Sequence, residues 1–135
     1  MAEQNKIATQ TFVNGEASST ISQYRVAILD TTTEGQVKLP SGANSVEKIA
    51  GVTEADISAT RAGSLVIAGI AYCTAAAAIS IGDVLVIADT AGRVRPKASG
   101  ATAQGLAIVG VALGTATTSG DQLPVMLEIR NAYAS

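Results

Sequence analysis

The side chains that could do chemistry in this sequence are few and scattered. Histidine is absent, so the commonest general base and the commonest metal ligand are both missing. Cys73 is the single cysteine, which rules out an internal disulfide and, with no histidine partner, the usual activated thiolate. Phosphate-binding and dinucleotide-binding glycine motifs do not occur. The sequence therefore predicts a protein that is not an enzyme, with no catalytic residues, metal ligands or cofactor, and Cys73 as a small buried hydrophobic residue.

Two weak groups of charged residues remain. Glu54 and Asp56 flank a predicted turn and could bind a hard cation, but they fall short of the usual six to eight oxygen ligands, so solvated turn acids are the favoured interpretation. Arg93, Arg95 and Lys97 place three positive charges on one strand and its exit. By alternation, the two arginines share one side, opposite the valine between them. This pattern favours a solvated outer face, with an acidic patch on a partner as the alternative.

The size and composition of the chain predict one folded domain with a thin core. A chain of 135 residues buries roughly two-thirds of the surface that its unfolded form exposes. Charged residues make up 15% and apolar residues 47% of it, with one Phe, three Tyr and no Trp. Aromatic rings supply much of the buried area in ordinary cores. Assembly with copies or with a partner would compensate for their scarcity.

Two classes of partner are disfavoured by charge and hydropathy. The net charge is −2, and the aromatic residues are not interleaved with Lys or Arg as in nucleic-acid-binding surfaces. Apolar runs stay short of the roughly 18 residues that a membrane span requires, and residues 1–6 lack the apolar region of a signal peptide. We therefore expect no nucleic-acid partner and no membrane partner, and synthesis in the cytoplasm without Sec-type export.

The sequence contains an approximate internal duplication. Three segments recur in the same order at a spacing of roughly sixty residues, which drifts by a few positions as loops allow: 26–40 as 84–96, 49–53 as 108–112, and 65–70 as 125–129. The pseudo-repeat thus covers 24–70 and 82–129. Because two copies are too few for a solenoid, we expect the halves to close on each other.

Strand-like segments follow one another at intervals of about eight to fifteen residues, separated by turns that contain glycine. An amphipathic helix of useful length is not evident, and the Ala-rich segment 74–83 is too short for a stable isolated helix. Pro124 lies within the last strand-like run and should mark a sheet edge, a bulge or a strand's beginning. The predicted fold is all-β: a small β-barrel or sandwich built from two similar halves in a single domain, 21–135.

Residues 1–20 differ from the rest in being polar and rich in Ser, Thr, Gln and Asn, which predicts an extended N-terminal arm. Within it, 6–13 has β-branched residues and partial alternation and could add to the edge of another sheet. A disordered terminus and an ordinary first strand of the same sheet are the alternatives. The arm's candidate contact residues are Lys6, Ile7, Thr9, Thr11, Phe12 and Val13.

The succession of turns and strands through 49–53, 78–86, 92–96 and 108–113 resembles the small capsid decoration (cement, head-stabilising) proteins of tailed bacteriophages. The likeness covers roughly 21–130. It implies a non-enzymatic virion protein, made in the host cytoplasm, that binds the major capsid protein on the outer surface of the assembled head and stabilises it, commonly as a homotrimer. It also implies that an N-terminal arm contacts the shell, which makes the six residues of the arm candidates for capsid binding.

A second function remains open, namely a domain associated with the tail or a fibre that binds host surface carbohydrate. Sugar sites usually present exposed aromatic rings. The tyrosines of this chain, Tyr24, Tyr72 and Tyr133, are more readily interpreted as amphipathic strand or terminal residues, which favours the capsid interpretation.

Overall fold

The computed structural model describes residues 8–42, 47–97 and 107–130, and all regular structure in them is β. The strands are β1 (Ala8–Asn14), β2 (Val26–Leu29), β3 (Gln36–Lys38), β4 (Ile49–Thr53), β5 (Ala62–Ala68), β6 (Ile70–Thr74), β7 (Val84–Ile87), β8 (Val94–Pro96), β9 (Ile108–Ala112) and β10 (Gln122–Arg130). The prediction of an all-β fold is confirmed. We call β1–β5 the first half and β6–β10 the second half.

The two halves have the same strand layout. The first half is a closed barrel in the order β1-β3-β2-β4-β5, and the second is a sheet in the order β6-β10-β9-β7-β8. The strands of the two halves correspond one to one in chain order: β6 corresponds to β1, β7 to β2, β8 to β3, β9 to β4 and β10 to β5. Parallel pairing of β1 with β3 closes the first barrel, whereas the corresponding contact in the second half is a single parallel bridge, Ala75 with Val94. The predicted pair of similar halves is therefore confirmed by topology.

The duplication extends to the irregularities of the sheets. The ladder between β2 and β4 shifts register after Ala27, and the ladder between β7 and β9 shifts register after Leu85. Gly51 lies opposite Ala27, and Gly110 lies opposite Leu85. A bulge bends its strand and increases the local twist, so both sheets curve at the same place.

Tyr24 has a left-handed backbone where the second half uses glycine. The φ of Tyr24 is 62°, and that of Gly82 is 93°. The two positions correspond, because the Tyr24 N–H donates to Thr53 at the end of β4 and the Gly82 N–H donates to Ala112 at the end of β9. The turn geometry is thus kept in both halves, although a Tyr at positive φ is strained and a Gly is not.

Thr60 and Gly120 form a second pair of this kind. Their φ values are 65° and 97°. The Thr60 N–H donates to Asn14 at the end of β1, and the Gly120 N–H donates to Ala75 just after β6. A β-branched residue at positive φ is an outlier, so Thr60 stores strain that its counterpart avoids.

Thr60→Gly is therefore expected to stabilise the protein. Relief of the left-handed strain contributes about 1 to 2 kcal/mol, and the greater freedom of glycine in the unfolded chain offsets about 0.4 to 1 kcal/mol of it. The free energy of unfolding in urea should rise by about 0.5 to 1 kcal/mol. The reverse change, Gly120→Thr, should lower it by a similar amount, since a Cβ there meets no atom within 4 Å and strain alone acts. A loss of stability in Thr60→Gly would contradict this account.

Two groups of buried side chains make up the core, and they are small and aliphatic as predicted. The smaller group fills the first barrel, with Phe12 packed against it; its members are Ile21, Ala27, Val37, Ala50, Ile57 and Leu65. The larger group fills the second half and also includes Val26, Val52 and Val66 of the first half. One hydrophobic cluster therefore runs across the junction between the halves.

Backbone hydrogen bonds also cross this junction. The Val26 N–H donates to the carbonyl of Gly92 (2.8 Å), and the Thr74 N–H donates to the carbonyl of Tyr24 (3.0 Å). The Arg25 guanidinium donates to the carbonyl of Ala91 (3.1 Å). The contacts of Gly92 and Ala91 hold the turn between β7 and β8 against the start of β2, and the contact of Thr74 holds the end of β6 there.

Candidate functional site

Strand β1 contains the central part of the predicted arm. It pairs antiparallel with β5 from Ala8 to Val13, and it meets β3 at Val13 and Asn14. Of the alternatives that the sequence left open for this segment, an ordinary first strand of the same sheet describes residues 8–14. Lys6 and Ile7 lie outside the described residues. The segment pairs within its own chain because β5 offers an apolar edge at a far higher effective concentration than a separate shell can.

The four described candidates differ in their exposure. Thr9 and Thr11 are exposed, Phe12 packs against the core of the first barrel, and Val13 is half-buried. Over 8–12, the edge of β1 opposite β5 pairs with no strand in the described part of the chain. An open strand edge accepts an added strand through main-chain hydrogen bonds. The site thus offers two threonine side chains and one open edge.

Asn14 fixes the end of this strand to the barrel. Its side chain is fully buried, and its amide nitrogen donates to the carbonyls of Ser19 (2.9 Å) and Ile57 (2.9 Å). Its amide oxygen accepts from the N–H of Glu16 (2.8 Å), whose carboxylate accepts from the N–H of Leu39 (2.9 Å). Sequence reasoning missed this residue, although the Asn-Gly dipeptide at 14–15 is a turn signal.

Glu54 and Asp56 are exposed residues of a turn. The Asp56 carboxylate accepts from the N–H of Gln23 (2.8 Å), and the backbone carbonyl of Glu54 accepts from the Gln23 side chain (2.9 Å). Among the described residues, no three His, Cys, Asp or Glu side chains come close enough to hold a metal ion. The carboxylate of Asp56 therefore connects this turn to the one that contains Gln23.

Val94 is fully buried, and Arg93 and Arg95 lie on the opposite side of the strand, as the alternation predicted. Both arginines are half-buried rather than fully solvated. Arg93 forms an ion pair with Asp89 (2.7 Å) and donates to the hydroxyl of Ser119 (2.8 Å). The basic strand is thus partly neutralised within its own chain. Burial opposes ionisation of Asp89, but the hydrogen bonds and charge of Arg93 outweigh it and lower the pKa of Asp89.

Two further turn aspartates have lowered pKa values. The backbone N–H of Thr32 donates to Asp30 (2.9 Å) and is the main cause of the lowered pKa of Asp30. The backbone N–H of Thr117 donates to Asp121 (2.9 Å) and has the same effect on the pKa of Asp121. Each carboxylate accepts bonds that only its charged form makes fully. These aspartates act as structural turn residues.

Thermal stability should fall in acid because of these aspartates. A carboxyl whose pKa is lower in the folded state contributes stability above its unfolded pKa, and the contribution disappears as pH falls through the folded pKa. We expect a flat melting temperature between about pH 5 and 7 and a decline below about pH 4. In Asp89→Asn the decline should be shallower, because one linked proton is removed. A wild-type melting temperature unchanged down to about pH 3 would contradict the assignment.

Cys73 is completely buried, and burial raises the pKa of its thiol to about 12. A thiol that stays protonated is neither a nucleophile nor a metal ligand at neutral pH. Cys73 is therefore the small core residue that the sequence predicted.

Tyr24 and Tyr72 come together at the junction of the halves. Their ring centroids are 5.8 Å apart, with ring planes inclined by 41°. They line a cleft of about 350 Å³, together with Thr53, Val66 and Ile70. Tyr72 is 51% exposed. The three tyrosines were predicted to be amphipathic strand or terminal residues, because nothing in the sequence indicated that the two halves would bring Tyr24 and Tyr72 together. Tyr133 lies outside the described residues.

Comparison with known proteins found a solved structure with a similar fold and a matching family model. The N base of the head fiber gp8.5 of bacteriophage phi29 has a similar structure, with a TM-score of 0.65 and 14% sequence identity over 96% of this chain and 99% of that chain. No curated protein sequence matches the chain significantly. The described ranges contain no helix with the length and apolarity that a membrane crossing requires. The family model of phage cement proteins matches residues 4–127. The chain therefore belongs to the phage cement protein family.

Proposed function

We propose that this protein binds the major capsid protein on the outer surface of an assembled phage head and stabilises the head as a homotrimer. The observation that carries the proposal is the match to the cement protein family over 4–127. The local chemistry is consistent with a structural role, because the described turn aspartates are used in hydrogen bonds and the thiol is buried.

We assign the capsid contact to the start of the chain. Thr9 and Thr11 present exposed side chains, and the open edge of β1 over 8–12 can accept a strand of the shell. Lys6 and Ile7 precede this segment in the sequence. Phe12 and Val13, which are packed and half-buried, hold the strand in place. Each added main-chain hydrogen bond contributes about 1 kcal/mol net, so one copy binds weakly and a trimer gains avidity.

The test uses heads of the parent phage that lack this protein. Purified protein added to them should give density on the outer surface in cryo-electron microscopy. The decorated heads should release DNA at a higher temperature than undecorated heads. Absence of binding, or density confined to the tail or the interior, would overturn the proposal.

A truncation tests the contact segment separately. Removal of 1–20 would also remove a barrel strand, so the informative deletion is 2–7. The shortened protein should keep the melting temperature of the full chain and should bind heads more weakly, because the segment that leads into the open edge is gone. Deletion of 131–135 is the matched control. Equal head binding by the 2–7 deletion would exclude Lys6 and Ile7 from the contact and confine it to the open edge of β1 over 8–12.

The tyrosine cleft favours a second candidate, binding of host surface carbohydrate. Aromatic faces stack on sugar rings, and Tyr72 is exposed beside Tyr24 in a cleft of suitable size. A glycan bound on an array by the wild type and lost in Tyr72→Ala would support this function. Unchanged head binding by the same variant would show that the two functions are separate.

A further inference from the structure

The outer surface of the second half carries a row of apolar side chains that nothing in the described chain covers. The row runs over four neighbouring strands, because Val84 pairs with Val111, Val111 with Met126, and Met126 with Ile70. Val84, Met126 and Ile70 are 36%, 38% and 43% exposed. We call this row the outer face. A contiguous exposed apolar surface is a common feature of sites where proteins associate.

Three of the four corresponding positions in the first half are buried, and the fourth, Thr9, which pairs with Val66, is exposed. There Val26 pairs with Val52, and Val52 with Val66, at positions equivalent to Val84, Val111 and Met126. All three belong to the hydrophobic cluster that continues into the second half. The same surface is therefore covered in one half and uncovered in the other.

The second half meets this row at the end of its sheet where β7 stops. The turn that follows Ile87, the last residue of β7, contacts Val26, whose N–H donates to the carbonyl of Gly92 (2.8 Å). Leu127 and Ile129 of β10 belong to or pack against the shared cluster, which also holds most of the core of the second half. Strand β10 also contacts β4 and β5 across the junction. Within one chain, the end of the second half thus packs on the side of the first.

The equivalent end of the first half is exposed. Leu29 of β2 is equivalent to Ile87 of β7. Leu29 pairs with the buried Val37 of β3, and Ile87 pairs with the buried Val94 of β8. Ile67 of β5 is equivalent to Leu127 of β10. Ile67 follows Val66 and Leu127 follows Met126, and Val66 and Met126 are themselves equivalent. Leu29 and Ile67 are 39% and 37% exposed. We call this pair the open end. The chain therefore presents both sides of a contact that it already makes once internally.

We propose that copies of this chain associate head to tail, with the open end of one copy packed on the outer face of the next. The contact repeats the arrangement of the two halves within the chain. Such an interface is heterologous, and it gives a ring when the rotation closes. Three copies would form a ring of six similar halves; the number three comes from the proposed function, whereas the contact surface comes from the geometry.

Light scattering and sedimentation of the full chain test the surfaces. Wild-type protein should be oligomeric below about 0.1 mM. Met126→Lys on the outer face and Ile67→Glu on the open end should each give folded monomers with the circular dichroism spectrum of the wild type, because both side chains are exposed. Thr20→Lys, a charge added at an exposed position of neither surface, should leave the oligomer intact. If either variant fails to fold, Val84→Lys or Leu29→Glu replaces it.

Mixing the two variants distinguishes a heterologous contact from a symmetric one. Met126→Lys keeps an intact open end and Ile67→Glu keeps an intact outer face, so the mixture should form a complex of one copy of each and grow no further. A mixture that stays monomeric, a monomeric wild type, or variants that assemble normally would each overturn the inference. If the oligomer behaves as stated but does not bind heads, the proposed function fails and this inference stands.

Discussion

Gly110→Ala is expected to destabilise the protein by about 3 kcal/mol or more, beyond the usual cost of one added methyl group in a core. A Cβ at Gly110 would lie 2.2 Å from the carbonyl oxygen and 3.0 Å from the carbonyl carbon of Met126. Both atoms belong to the backbone of β10, which cannot move away without breaking its pairing with β9. Urea denaturation would measure the change in the free energy of unfolding.

The first half supplies a parallel test and a control. At Gly51, the position equivalent to Gly110, a Cβ would lie 2.5 Å from the carbonyl oxygen of Val66, so Gly51→Ala should have an effect of the same kind. At Gly42 a Cβ meets nothing within 4 Å, and Gly42→Ala should stay within about 0.5 kcal/mol of the wild type. Wild-type stability in Gly110→Ala would show that the strands are spaced more widely than described.

These glycines show what a sequence can and cannot predict here. The repeated pattern at 49–53 and 108–112 predicted two equivalent strands with glycine at the centre. It did not show why glycine is needed. A Cβ at this position would come too close to a carbonyl oxygen of the neighbouring strand, and this closeness arises from a bulge whose register depends on residues of two other strands. The repeat could be predicted from the sequence, but its physical cause could not.

The sequence likewise did not determine which sheet residues 8–14 would join. The partial alternation indicated a strand, but which edge it joins depends on β5, far along the chain, and such non-local pairing leaves no local signal. Asn14 completes this placement through bonds to Ser19 and Ile57. Of the candidate contact residues, Thr9 and Thr11 are therefore exposed on a barrel strand, and Phe12 of the same strand packs against the core.

Pro124 illustrates a prediction that the topology made more specific. Proline was expected at an edge, a bulge or a strand's beginning. Strand β10 lies between β6 and β9, so it is not an edge. Pro124 pairs with Tyr72 of β6, whereas the ladder with β9 begins at Val125. With respect to β9, Pro124 therefore stands at the beginning of the strand.

Met126→Lys is expected to weaken attachment to phage heads by about 10²- to 10⁴-fold, the range that linked binding sites add to a single one. The substitution lies on the outer face, on a different strand from the capsid contact assigned to β1. It should therefore act by separating the copies rather than by changing what each copy touches on the shell. Titration of heads with labelled protein, with bound and free fractions separated by sedimentation, would measure the apparent Kd.

Two comparisons determine whether avidity is the cause. Thr20→Lys adds the same charge and should bind like the wild type, which controls for repulsion between a lysine and the shell. The 2–7 deletion should remain oligomeric and yet bind weakly, because its defect lies in each single contact. If monomeric Met126→Lys decorated heads with wild-type affinity, one copy would suffice for attachment, and association between copies would serve the stability of the head rather than the strength of binding.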